Sequence, residues 1–171
     1  MKITKTNGFT LLELMIVLTI FGIMASTASF YMGRYTNNTN LRAAARQLVS
    51  DMANAKQRSV TEGLCYRIVI TTGTPGNYTM ERADCACCSA CSSPCTSTPT
   101  FTVRVGFPKS PTDEKKAGLR INSNTYAGNI IYFQPRGTTS LGSVVLQNSR
   151  GSSATITTNI TGKTYVTFTM Q

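Results

Sequence analysis

Residues 9–32 read FTLLELMIVLTIFGIMASTASFYM, an apolar run set behind the polar, basic octapeptide MKITKTNG. From Phe9 to Phe30 a helix rising 1.5 Å per residue covers about 33 Å, enough to cross a hydrocarbon core of about 30 Å. Lys2 and Lys5 precede the run, and no basic residue comes after it until Arg34. The positive-inside rule then leaves the N-terminus in the cytoplasm and exports the chain beyond the run. Two simple readings are a cleaved secretory signal and a plain one-pass anchor. A secretory signal has a shorter apolar stretch, about 7–15 residues, ending at an A-x-A cleavage site. The fifth residue of this run is also a carboxylate, Glu13. A charge at membrane depth costs about 2.5–3.5 kcal/mol on insertion scales, so it is rarely kept without a function.

Gly8-Phe9-Thr10-Leu11-Leu12-Glu13, followed by LMIVLTIFGIMA, resembles the class III signal of type IV pilins and type II secretion pseudopilins. The resemblance implies that residues 1–8 are a leader. A prepilin peptidase would cut it between Gly8 and Phe9 on the cytoplasmic face and then N-methylate Phe9. The new terminal amine would lie one helical turn from Glu13. A buried charge is tolerable only when paired, so Glu13 of one subunit and the Phe9 amine of a neighbour form a natural contact between packed helices. That contact would set axial register during assembly. Residues 9–32 are thus expected to be a transmembrane and assembly helix. Other pilins or pseudopilins and an inner-membrane assembly platform are its expected partners. In this family the tip-most subunit typically lacks the acid, which points away from that one position.

Beyond the run, Asn37, Asn38 and Asn40 break the apolar pattern, but the first Pro is Pro75, so a helix can resume. Leu41, Ala44, Ala45, Leu48, Met52, Ala55 and Ser59 recur at spacings of three and four, one face of an amphipathic helix. Arg42, Arg46, Lys56 and Arg58 fall largely off that stripe, and Gly63 is a helix stop. Residues 33–63 are therefore expected to continue the helix into a head. From Leu64 the chain turns to short β-rich segments; 27 of the 171 residues are Thr, which favours strands. The expected strands are 64–71, 77–82, 100–107, 129–133, 143–147, 154–158 and 164–170. In the last, Tyr165, Thr167 and Thr169 alternate with Val166, Phe168 and Met170. Segments this short and close leave no room for parallel crossovers. The expected fold is α+β and pilin-like: a long N-terminal helix packed on an antiparallel head spanning 64–171.

Phe133-Gln134-Pro135-Arg136-Gly137, then residues 143–147, Asn148–Gly151 and a strand ending at Gly162-Lys163, resemble the C-terminal half of the H-type pseudopilins (GspH, FimT and FimU). Pro135 with Gly137, and the Asn-Ser-Arg-Gly stretch at 148–151, are turn chemistry between strands. An H-type minor subunit is implied, near the fibre tip, joining the tip complex to the major subunit and helping to prime assembly. A major pilin usually lacks this C-terminal pattern. The fibre is either a type II secretion pseudopilus or a type IV pilus.

Six cysteines, Cys65, Cys85, Cys87, Cys88, Cys91 and Cys95, lie on the exported side, five of them in a loop at 83–97. An oxidising compartment favours disulfides there, with 15 connectivities possible for three bridges. The C-x-x-C spacings also admit a metal cluster, but a second pair some 12–20 residues away is missing. Thiol redox chemistry is the third reading.

The chain has no His and no Trp, and 7 acidic residues against 17 basic ones. Without His there is no Ser-His-Asp or Cys-His pair and no Cys/His zinc site, so no catalytic residue, metal site or cofactor is expected. After position 32 there are 15 basic and 6 acidic residues, a formal charge of +9. Such a surface is either merely solvated or attracts anionic lipid or nucleic acid. Some FimT-type members bind DNA in natural transformation through a Gly-Arg-x-Arg stretch; here the corresponding residues are Gly162-Lys163-Thr164-Tyr165. Arg136, Arg150 and Lys163 are the residues to consider for that role.

Overall fold

The computed structural model describes residues 9–73, 76–88, 98–110 and 118–171, without the side chains at 28–32 and 34. Residues 1–8, Gly8 included, and Cys91 and Cys95 lie outside the described residues. The chain divides into two compact units, one ending at Thr36 and one spanning Asn37–Gln171.

One helix, α1 (Leu11–Glu62), runs through both units. The asparagines at 37, 38 and 40 do not interrupt it. Gly63 follows with φ +67°, the left-handed residue that closes a helix C-terminus. In the first unit the described apolar side chains are exposed, Leu11 77% and Ile23 67%. Among the described residues no helix is long and apolar enough to cross a membrane. The described side chains of the apolar run stop at Thr27, short of its end.

Among the described residues, the second unit joins the rest of α1 to eight strands in two antiparallel sheets. The first has order β3-β2-β1-β5, from β1 (Tyr66–Thr71), β2 (Asn77–Ala83), β3 (Phe101–Val103) and β5 (Ile130–Phe133). The second has order β4-β6-β7-β8, from β4 (Arg120–Asn124), β6 (Gly142–Gln147), β7 (Ser153–Thr158) and β8 (Thr164–Thr169). Both sheets and the helix share one apolar core. Every residue of the predicted stripe is buried: Leu41, Ala44, Ala45, Leu48, Met52, Ala55 and Ser59. They cluster with Ile68 and Ile70 of β1, Met80 of β2, Phe133 of β5, Leu146 of β6 and Ile156 of β7. The Ser59 hydroxyl crosses to the sheet layer, donating to the Gln134 carbonyl at 3.1 Å.

Most expected strands shift by one or two residues at one end, and three differences are larger. The strand expected at 100–107 shortens to Phe101–Val103. Phe107 N–H donates to the Arg104 carbonyl at 3.3 Å, and Gly106 takes φ +89°. That turn leaves Val105 in solvent and carries Phe107 back to Tyr78, edge to face at 6.0 Å between ring centroids. Strand β4, with the sequence Arg-Ile-Asn-Ser-Asn, lies outside the expected strands. Pairing with β6 and the burial of Ile121 outweigh its weak strand preference, and the register shifts between Ile121 and Ser123. Finally, Gly162 and Lys163 do not end a strand. β7 stops at Thr158, and they lie in the β7–β8 turn.

The turns at Gln134–Gly137, Asn148–Gly151 and Asn159–Gly162 share one build. In each, the fourth residue is a Gly at positive φ whose N–H donates to the carbonyl of the first.

Candidate assembly site

Two surfaces carry the candidate residues, the N-terminal turn of α1 and the loops of the head. Thr10 caps the helix, its Oγ1 accepting from the Glu13 N–H at 3.2 Å while its carbonyl accepts from the Leu14 N–H. Thr-Leu-Leu-Glu is thus the S/T-x-x-E pattern of a helix start, a signal legible in the sequence that the membrane reading passed over. It puts Glu13 in the first turn, where the helix dipole favours a negative charge. The other described hydroxyls of the run are satisfied within the helix. Thr19 donates to the Ile16 carbonyl at 2.7 Å, Ser26 to Ile23 at 2.8 Å and Thr27 to Met24 at 2.9 Å. Such back-bonding lets polar residues sit in an apolar medium. Among the described residues, Glu13 is the acid in this run, and its carboxylate has no ion-pair partner there. Phe9 stands beside it, 83% exposed.

In the head, Cys65 and Cys88 form a disulfide with Cα atoms 5.3 Å apart, tying the loop after β2 to the start of β1. A closed loop of this size is worth about 3 kcal/mol in the chain-entropy picture. Cys85 is half-buried and Cys87 buried in the same loop.

The three basic candidates are not brought together. The Arg136 turn and the Lys163 turn meet at one end of the head, where Thr139 N–H donates to the Ile160 carbonyl at 3.0 Å. Arg150 lies in the β6–β7 turn at the other end of β7, about 20 Å of strand away. That turn is held to α1 by Asn148, whose Nδ2 donates to Asn38 Oδ1 at 3.1 Å.

The sequence reading missed a buried polar cluster. Asp51, on α1 and buried, accepts from Tyr78 Oη at 2.7 Å and from Lys109 Nζ at 2.8 and 3.0 Å. Burial, and then the bond to Asp51, hold the Tyr78 phenol far above its ordinary value. A second cluster closes the helix end. Glu62 accepts from Tyr66 Oη at 2.7 Å and pairs with Arg58 at 3.4 Å and Arg82 at 3.6 Å. The Tyr66 bond, opposed by partial burial and aided by the arginines, lowers the Glu62 carboxyl below its usual range. Both clusters fasten the helix to the first sheet.

Residues 3–29 match the prokaryotic N-terminal methylation motif, and residues 44–162, well over half of the chain, match the type II transport protein GspH. The chain belongs to the GspH family. This GspH-family protein is accordingly a type II secretion pseudopilin or pilin subunit, a pilin-like class that assembles with other pilins after a prepilin peptidase has acted. The methylation motif takes in Phe9, Thr10 and Glu13, and the GspH match takes in α1 from Ala44 onward, the first sheet, strands β4, β6 and β7 of the second, and the three Gly-closed turns. No curated protein and no solved structure matches the chain.

Proposed function

We propose that this GspH-family protein is a minor subunit of a type II secretion pseudopilus or type IV pilus, seated near the tip, where it helps prime fibre assembly. A prepilin peptidase cuts between Gly8 and Phe9 and methylates the Phe9 amine. Residues 9–32 hold the subunit in the inner membrane, with its N-terminus cytoplasmic and its head periplasmic, until the assembly platform draws it into the fibre. Its function is structural, with no catalytic residue. The observation that supports this reading is Glu13, a carboxylate with no ion-pair partner among the described residues, on an apolar, exposed helix whose described hydroxyls are internally bonded. An intermolecular cation is the partner that makes such a charge tolerable, and the Phe9 amine of the neighbouring subunit supplies one.

The alternative, a DNA-binding subunit for natural transformation, rests on Arg136, Arg150 and Lys163. Their placement at two ends of the head gives phosphates no single patch containing all three.

Glu13→Ala and Glu13→Gln separate capping from pairing. Glutamine preserves the capping pattern and removes the charge. The expected outcome is that both variants are processed and reach the membrane fraction, and both are missing from sheared fibres. If Glu13→Gln enters fibres at the normal level, the charge is dispensable and the register role fails.

A further inference from the structure

Beside its buried stripe, α1 carries a second row, Val49, Ala53, Lys56 and Val60, at spacings of four, three and four. Across from this row stands β8, the last strand of its sheet, whose outer edge pairs with no described strand. Two hollows lie between them, of about 600 and 370 Å³, and Val49 and Ala53 line both. Val166 and Phe168 close the smaller one, and Thr164 and Val60 help close the larger. The result is a continuous groove with aliphatic walls and an open strand edge along one rim.

The charge on the groove is of one sign. Arg46 and Lys163 line it, the Lys163 ammonium 6.0 Å from the Tyr165 ring centre, and Arg42 lies over the Phe168 ring at 5.9 Å. Lys56 is spoken for, its Nζ donating to the Thr161 carbonyl at 2.9 Å. Among the described residues no acidic side chain lines either hollow.

An open strand edge offers alternate N–H and C=O groups that an extended chain completes, with every second side chain entering the groove. A second copy of this protein is a poor occupant, since its head carries the same strong positive charge. Single-stranded nucleic acid needs aromatic faces for its bases. Here the Phe168 face is taken by Arg42, and Tyr165 alternates onto the opposite, exposed side of β8. We propose that the groove between α1 and β8 docks an extended segment of an acidic partner protein. The segment adds as a strand to β8, its apolar side chains enter the two hollows, and its carboxylates face Arg46 and Lys163.

The test uses the full chain in detergent micelles and two fluorescein-labelled nonapeptides, one alternating valine with glutamate and the other valine with lysine. The glutamate peptide is expected to bind at least tenfold more tightly. Ala53→Tyr fills the shared hollow from an exposed helix position and should weaken binding at least tenfold, as should the double change Arg46→Glu with Lys163→Glu. Hydrogen exchange of the Thr164–Thr169 amides should slow when the peptide binds. Circular dichroism shows that each variant retains its fold. Equal affinity for the two peptides, indifference to Ala53→Tyr, or unchanged exchange along β8 overturns the proposal. So does tighter binding of a 20-nucleotide single-stranded DNA that Ala53→Tyr weakens, since the groove is then a nucleic-acid site.

Discussion

Replacing Asp51 with alanine should be among the most damaging single polar changes in the head. The carboxylate is 5% exposed and holds two donors from outside its own helix, the Tyr78 hydroxyl on β2 and the Lys109 ammonium on the loop after β3. Removing one member of a buried charge pair costs about 3–5 kcal/mol, because the other is left without compensation. The Lys109 side chain is 33% exposed and can return to water, which places Asp51→Ala at the lower end, about 3 kcal/mol. Tyr78→Phe removes one bond to a charged acceptor and leaves Lys109 in place, so about 1.5–2 kcal/mol is expected. The two changes share a partner and should combine to less than their sum. Urea denaturation of the protein in detergent, followed by near-ultraviolet circular dichroism of the tyrosines, reads these values. If Asp51→Ala costs under 1 kcal/mol, or if Tyr78→Phe costs more than Asp51→Ala, the cluster does not fasten helix to sheet as argued.

The buried tyrosines set an alkaline limit. Burial raises the phenols of Tyr78, Tyr126 and Tyr66 above the ordinary value of 10.0, with the Asp51 bond adding at Tyr78 and the Glu62 bond at Tyr66. A raised folded-state value stabilises fully below the unfolded value and is lost as pH climbs through the folded one. Urea midpoints should therefore hold from pH 7 to 9 and fall above about pH 10, less steeply in Tyr78→Phe. A midpoint unchanged to pH 11 would show that these phenols are not buried. Gly142→Ala should cost about 1–3 kcal/mol, because the new Cβ would lie 2.5 Å from Cδ1 and 2.6 Å from Cε1 of the buried Tyr126 ring. A thermal midpoint within 1 °C of the parent would mean that the ring does not pack on β6.

Much of this architecture was legible before any coordinates, where one residue type repeated at one period. The stripe from Leu41 to Ser59 and the alternation through β8 each combine many residues that agree, and Gly63 marks an end that only a left-handed residue closes well. Strand β4 was hidden because its fit depends on one inward residue and on β6, a partner that composition cannot supply. Asp51 was hidden for a related reason. A charge next to an apolar stripe reads as solvated, and only the arrival of Tyr78 and Lys109 from distant strands and loops makes burial tolerable. The cysteine loop gave a redox environment without a pairing, and the Cys65–Cys88 bridge emerges only once β1 and β2 are adjacent. At the N-terminus the Thr-Leu-Leu-Glu capping pattern stood in the sequence, and the backbone shows Thr10 Oγ1 accepting from the Glu13 N–H.

The most direct test is mass spectrometry of the protein recovered from intact fibres. A chain that begins at Phe9, carries one methyl group on its amine and retains Glu13 is the predicted result. Fibre-borne protein still beginning at Met1, or the protein found only as a soluble product outside the fibre, would contradict it.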